Sequence, residues 1–297
     1  MKEYLQKFLV DFDYPKETHK SFLDGFELIC SNHEYFDAFN SLLKRYSDDM
    51  MCDYVKLVDD AMTLADSIGV HQYTMRTILH IFMAEILKGF YKQKGIPESY
   101  WYDSMLDIKY QTLTTYVETG ICGASCGYWF IFFFQLNRFS FGRLQIEYIP
   151  FNREYKGNGI ELNKDSYVFN VHIPKTGTRL DINECHLSYE RAMDFYEKYY
   201  GVKDLNVFYC HTWLLFPDNL QIVHPESNIA KFIQDYDVYQ VDLMDDYHEV
   251  HRIFDMKYDG DVSKLPADNS IRRGYKKWIE EGKKIGIGNG IHIHKKK

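Results

Sequence analysis

The sequence predicts an α+β protein: an all-helical first part, residues 1–122, followed by a mixed α/β second part, residues 123–297, on a central, partly parallel sheet. Three observations predict it. The 297 residues are enough for roughly two domains of about 150 residues each. Up to about Val117 the apolar residues recur at helical spacing. After Gly120 that period gives way to alternation and to short strand patterns interleaved with helical ones.

In the first part Met75, Ile78, Leu79, Phe82, Met83, Ile86, Leu87 and Phe90 form the apolar stripe of one helix. Gly95 and Pro97 end it, and a second helix runs from Pro97 through Trp101, Met105 and Ile108 toward Val117. Residues 22–29, 35–46 and 55–68 carry the same period.

In the second part Gly127 to Arg138 is an apolar run that periodicity leaves unassigned. Phe141 to Ile149 alternates, with Arg143, Gln145 and Glu147 on one face and Leu144, Ile146 and Tyr148 on the other. Gly157-Asn158-Gly159 marks a hairpin turn. Residues 166–173 predict a strand, and 181–200 a helix with Asp181 as N-cap and Glu184 at N3. A buried strand over 207–215, a short helix over 227–236, a strand over 238–244 and a helix over 269–282 follow. The last strand, 287–294, alternates Ile287, Ile291 and Ile293 with Gly288, His292 and His294 and needs only a half-buried edge position. A helix between two strands imposes a right-handed crossover, so the strands at 166 and 207 are expected to be adjacent and parallel.

Composition excludes several classes. With 45% apolar and 26% charged residues the chain is not disordered. The six cysteines form no C-x-x-C pair, which points to reduced thiols and a cytoplasmic protein. The N-terminus lacks a basic-then-apolar signal pattern, and the longest apolar run, Tyr128 to Phe134, is far short of the roughly 20 residues that cross a bilayer. Residues 1–120 carry 12 Lys/Arg against 19 Asp/Glu. That acidic front argues against a nucleic-acid partner and suits a cationic amine such as a polyamine or aminoglycoside, although a solvated surface explains it equally. Residues 272–297 hold nine basic and two acidic side chains, suited to a small anionic ligand or simply solvated.

Ligands of parallel sheets gather at the carboxyl ends of the strands. This places His172, the loop 174–178 and the helix start near Asp181 at one edge of a cleft. Thr176-Gly177-Thr178 precedes a helix N-terminus, whose unpaired N–H groups suit a phosphate, or it is a turn that binds nothing. If the polar stripe faces the cleft, Glu147 is a general base held ionised by Arg143; if it faces water, it is an ordinary surface. His172, Cys185, His186, Cys210 and His211 are metal-ligand types, but adjacent residues diverge and no metal is expected. Cys210 and His211 point to opposite faces, so a thiol hydrolase would pair Cys210 with His172 across the parallel strands; a buried structural cysteine is the alternative.

Several stretches in order carry a resemblance: Gly142-Arg143-Leu144-Gln145-Ile146-Glu147, His172-Ile173-Pro174 with Gly177 and Leu180, and Cys185 with Ser188 and Ala192. Cys210-His211-Thr212-Trp213-Leu214-Leu215, Pro225 with Ser227-Asn228-Ile229 and Phe232, and Asn269-Ser270-Ile271 with Arg273 complete it. Together they resemble a bacterial two-domain acyltransferase family, an N-terminal helical N-acyltransferase domain followed by a GNAT-like domain. The resemblance implies acyl-CoA, acetyl or longer, between two splayed parallel strands, with its pyrophosphate at the next helix N-terminus. The usual Q/R-x-x-G-x-G/A loop is absent between Pro174 and Asp181, where Gly177 is the one glycine.

The implied reaction is direct attack of a small-molecule amine on the CoA thioester, with strand N–H groups polarising the carbonyl. His172 or Glu147 would take the proton, and Cys210 or His211 would shape the cleft. Thr176, Gly177 and Thr178 would hold phosphate, Ser227 and Asn228 would touch the pantetheine, and Arg273 joins the cofactor-binding set. The rival is a noncatalytic GNAT-fold binding module for a metabolite or peptide.

Overall fold

The structure, a computed structural model, describes residues 1–244, 247, 250–256 and 258–296. The chain forms two compact units, Met1–Phe139 and Ser140–Lys297.

The first unit contains α1 (Lys2–Asp11), α2 (Lys16–Cys30), α3 (His33–Asp48), α4 (Tyr54–Ile68), α5 (Gln72–Gln93) and α6 (Glu98–Thr119), then a 3-10 turn (Gly127–Phe130) and the single-turn α7 (Ile131–Phe134). Asn32 and Asp53 cap α3 and α4 by accepting from the Glu34 and Lys56 amides, and Gly69 and Gly120 end α4 and α6 in the left-handed conformation. The predicted stripe of α5 is buried at Met75, Ile78, Leu79, Phe82, Met83 and Leu87, but Thr74, Arg76, Thr77 and His80 are buried too. His80 Nε2 lies 2.7 Å from the Tyr54 hydroxyl on α4, and the other three are bonded to the chain after α6. Thr74 Oγ1 donates to the Cys122 carbonyl at 2.6 Å, the Ala124 amide donates to Thr77 Oγ1 at 2.8 Å, and Arg76 Nη2 donates to the Ser125 carbonyl at 3.0 Å. This stitching ties residues 122–125 to α5, and the first compact unit runs on to Phe139. Among the described residues no helix is long and apolar enough to cross a membrane.

The strand β1 (Arg138–Ser140) spans the division. The second unit continues with β2 (Gln145–Pro150), β3 (Tyr155–Gly157), β4 (Ile160–Leu162), β5 (Tyr167–His172), α8 (Ile182–Tyr200), β6 (Val207–Thr212), α9 (Asn228–Gln234), β7 (Asp237–Leu243), α10 (His251–Phe254), α11 (Ser270–Glu280) and β8 (Gly286–Ile293). Within it the sheet runs β2-β5-β6-β8-β7. β5 and β6 are parallel neighbours, as the crossover rule required, and the other pairs are antiparallel. Asn158 and Gly159, both at positive φ, close the β3–β4 hairpin as expected.

Three strand expectations change. The strand expected over 207–215 ends at Thr212, where residues 213–215 turn into a 3-10 helix. The strand expected from Phe141 starts only at Gln145, because the Phe141 amide bonds the Leu144 carbonyl and closes a turn. β8 is not an edge strand: it lies between β6 and β7. Its glycines, which suggested a weak edge, permit close approach instead. A Cβ on Gly288 would stand 2.2 Å from the Leu215 carbonyl oxygen, where the 3-10 turn Trp213–Leu215 crosses the strand.

Because paired residues share a face, the register puts Gln145, Glu147, Asn170, His172, Tyr209, His211 and Asn289 on one face and Ile146, Val171, Phe208, Cys210 and His292 on the other. α8 packs on the second face, with Tyr189 4.4 Å from the Phe208 ring and Tyr196 5.2 Å from the Phe169 ring. On the first face the hairpin residues Tyr155 and Leu162 cluster with Val168, Val207 and Ile291.

Candidate active site

β5 and β6 pair at Phe169–Phe208, Asn170–Tyr209 and Val171–Cys210, and there the parallel ladder ends. β5 still pairs with β2 as far as His172, and β6 with β8 as far as Thr212. The two strands therefore part like a fork. His172 and His211 are the first residues beyond the last pair, one on each arm and both on the same face.

The β5 arm carries a buried polar group. His172 Nε2 lies 2.8 Å from Glu147 Oε1, and Asn170 Nδ2 donates to that same oxygen at 2.6 Å. Asn170 Nδ2 also lies 3.1 Å from His172 Nε2; with Glu147 ionised its oxygen only accepts, which assigns the proton to Nε2 and the imidazole lone pair to Nδ1. Glu147 is 3% exposed, whereas the His172 side chain is 21% exposed. The polar stripe thus does not face water. Arg143, expected to hold Glu147 ionised, lies outside β2 and donates from Nη1 to the Pro174 carbonyl and from Nε to the Arg179 carbonyl, both at 3.1 Å. It braces the loop after β5.

On the β6 arm, His211 Nε2 is 3.4 Å from Asp242 Oδ2. Asn289 Nδ2 donates to Asp242 at 2.9 Å, and Tyr209 donates to Asn289 Oδ1 at 2.8 Å. The Asn289 hydrogen bond, helped by Gln240 and His211, holds the Asp242 carboxyl below its ordinary range. Each arm therefore presents one histidine backed by one carboxylate.

Cys210 takes no part in this face. Its thiol donates to the Val171 carbonyl, and complete burial pushes its pKa far up. It points away from His172, so the Cys210–His172 thiol arrangement is overturned. We expect Cys210→Ala to retain activity within a few-fold, and peptide mapping after iodoacetamide treatment of the folded protein to find Cys210 unlabelled. A loss of activity beyond tenfold would restore the thiol.

The loop that should receive phosphate is tied at several points. Thr176 and Thr178 bond through their hydroxyls at 2.6 Å, and Gly177 between them has φ 78°. Asp181 caps α8 by accepting from the Asn183 and Glu184 amides. Those amides are occupied, so an anion meets the loop itself and the cations beside it, Arg143 and Arg179. Lys175 pairs with Asp255, which Arg272 Nη2 also binds at 2.6 Å. Arg272 is thus linked to Lys175 of this loop through Asp255. Arg273 is exposed and donates to the Ala267 carbonyl. Ser227 caps α9 through the Ala230 amide at 3.2 Å, and α9 packs against α8 and the turn after β6. This puts Ser227 and Asn228 on the α8 side of the sheet.

The five metal-ligand types weighed together do not gather, since Cys185 and Cys210 lie on the α8 face and His172 and His211 on the other. Asn170, Asp242, Asn289 and Arg272 escaped the sequence. Asn170 was within reach, because it stands two residues before His172 and period-2 alternation puts both on one face.

Residues 3–136 match the family described as the N-acyltransferase N-terminal domain, and residues 138–292 the one described as the GNAT-like C-terminal domain. No curated protein matches the chain. Among solved structures, an acyltransferase in complex with decanoyl-CoA is similar at TM-score 0.79 and 17% identity, over 98% of this chain and 87% of its own. A mutant acyltransferase with octanoyl-CoA gives TM-score 0.77 at 15% identity, over 99% and 88%. An acyltransferase with CoA and 10C-teicoplanin gives 0.76 at 16%, over 98% and 87%. At these identities the likeness establishes a shared fold.

Proposed function

The chain belongs to the acyltransferase family that joins an N-acyltransferase N-terminal domain to a GNAT-like C-terminal domain, and on that premise we propose that it moves an acyl group from an acyl-CoA to an amine at the fork between β5 and β6. The observation that carries this is the parting of the strands after Val171 and Cys210 with His172–Glu147 on its first arm. The thioester lies in the fork, and N–H groups at the end of β5 polarise its carbonyl. The amine attacks that carbon while His172 Nδ1 takes its proton, and Glu147 steadies the imidazolium through Nε2–H. A C–N bond forms, the C–S bond breaks, and the captured proton passes to the departing CoA sulfur. Glu147 acts as the orienting carboxylate and His172 as the base.

Thr176, Gly177 and Thr178, with Arg143 and Arg179 beside them, are assigned to the CoA phosphates, and Ser227 and Asn228 to the pantetheine side. The similar structures hold decanoyl-CoA and octanoyl-CoA, which favours a medium-chain donor here. The acidic first 120 residues favour a cationic amine. Six cysteines outside any disulfide suit a reducing, cytoplasmic setting.

A thermal-shift titration with CoA, acetyl-CoA and decanoyl-CoA tests the cosubstrate. At about 100 times its dissociation constant a ligand adds about 2.7 kcal/mol, and the shift is expected to grow with acyl length. The self-capped start of α8 and the missing glycine-rich loop favour the second reading, a noncatalytic binding module. Absence of any shift at millimolar thioester would select it.

A further inference from the structure

Away from the fork, on the α8 face, three elements bring their side chains to one point. His186 comes from the second turn of α8, Asp235 from the connection between α9 and β7, and His292 from β8. His186 Nε2 lies 2.9 Å from Asp235 Oδ2, and His292 Nδ1 lies 3.3 Å from the same oxygen. The three ligand atoms fall within 4.8 Å of one another. Metal–nitrogen and metal–oxygen bonds of about 2.1 Å put neighbouring ligand atoms about 3.0 to 3.5 Å apart, so the carboxylate oxygen stands close to coordination distance from each imidazole. The carboxylate and the His292 side chain are 18% and 10% exposed, and His186 at 30% leaves a way in from solvent.

A second observation points to a missing cation. His292 continues into His294, whose Nδ1 is 3.2 Å from His292 Nε2, and His294 Nε2 is 3.6 Å from Glu190 Oε1. His294 is 5% exposed, and its Nε2 has no hydrogen-bond partner. With both rings neutral, the proton count fails in either direction. If His292 Nδ1–H donates to the Asp235 carbonyl, 2.8 Å away, His294 Nδ1–H donates to His292 Nε2 and a bare His294 Nε2 lone pair faces the Glu190 carboxylate. If instead His294 Nε2–H points at Glu190, His292 Nε2–H donates to His294 and the bare lone pair is His292 Nδ1, facing the Asp235 carboxylate and carbonyl. A metal ion on His292 Nδ1 resolves the second arrangement. The chain then runs from the ion through His292 and His294 to Glu190, a histidine ligand oriented by an outer carboxylate.

We propose that His186, Asp235 and His292 bind a divalent first-row transition ion, zinc foremost, through two imidazoles and one carboxylate. This donor set suits zinc over the hard ions calcium and magnesium. Three protein ligands leave a coordination position for water or the Asp235 carbonyl. The ion would clamp α8 to β8 and to the α9–β7 connection, residues 49 and 57 positions apart.

The test uses tag-free full-length protein stripped with EDTA and titrated with Co²⁺, then Zn²⁺. The wild type is expected to develop visible Co²⁺ absorption saturating at one ion per chain, displaced by Zn²⁺, with an unfolding midpoint that rises with Zn²⁺. His186→Ala, at a partly exposed helix position, and Asp235→Asn are each expected to lose about 100-fold or more in affinity, and Glu190→Gln about tenfold. With 12 histidines in the chain, these variants separate this site from adventitious binding. Lack of Co²⁺ absorption in the wild type at pH 7.5 would overturn the proposal and leave an extra proton as the missing cation. Undiminished affinity in both His186→Ala and Asp235→Asn would overturn it as well.

Discussion

His172→Ala is expected to lower kcat for amine acylation by about 10²- to 10⁴-fold, the usual worth of a positioned general base. The acyl-CoA affinity should change little, because the imidazole sits on the first face of the sheet beyond the last β5–β6 pair and not in the phosphate loop. Glu147→Gln should cost less, since a glutamine oxygen still accepts from Nε2 and Asn170 but no longer offsets the imidazolium charge. The acidic limb of the kcat/KM profile, which reports imidazole protonation, should flatten in His172→Ala, and added imidazole should recover part of the rate. These measurements need only CoA-thiol release with any accepted amine. If both variants stay within a few-fold of wild type, the proton acceptor lies elsewhere, and His211 with Asp242 on the opposite arm is the next pair to remove.

Gly288→Ala is expected to cost about 3 kcal/mol or more of stability, among the largest effects available to one methyl group. The added carbon would lie 2.2 Å from the Leu215 carbonyl oxygen and 2.6 Å from its carbonyl carbon. Both are backbone atoms in a turn that cannot rotate aside. Either β8 moves away from Thr212, its partner on β6, or the Trp213–Leu215 turn lifts. For a unit of this size the loss corresponds to about 6 to 12 °C in Tm. Gly89→Ala is the matched control: nothing stands within 4 Å of its added carbon, on α5, and replacing a helical glycine should stabilise by up to about 1 kcal/mol. Equal midpoints for the two variants would show that the β8 contact is looser than its geometry.

The legible parts of the chain were those with strong local periodicity. The α5 stripe, the long helix after Asp181 and the parallel placement of β5 and β6 followed from spacing and from the handedness of crossovers. His172 and Glu147 were legible as candidates, but not as partners, because residue identity cannot reveal that Gln145 pairs with His172 and Glu147 with Asn170 across two strands. Arg143 was read as a strand residue because the alternation conceals a turn, closed between Phe141 and Leu144, that puts it ahead of β2. His211–Asp242–Asn289 and His186–Asp235–His292 were out of reach, since each depends on β8 inserting between β6 and β7. Interleaved glycines look like a weak edge until the backbone they admit is known.

That insertion also orders events during synthesis. β7 finds its sheet partner only in β8, which is made some 50 residues later, and β6 has an open edge until β8 arrives. A nascent chain that has completed β2, β5 and β6 can assemble the parallel pair and the His172 arm, but the His211 arm lacks Asn289 until translation reaches the final strand. A premature stop ahead of Gly286 would therefore remove far more than a tail: it would leave two unpaired strand edges, the template for aggregation, and half of the proposed acyl-transfer cleft.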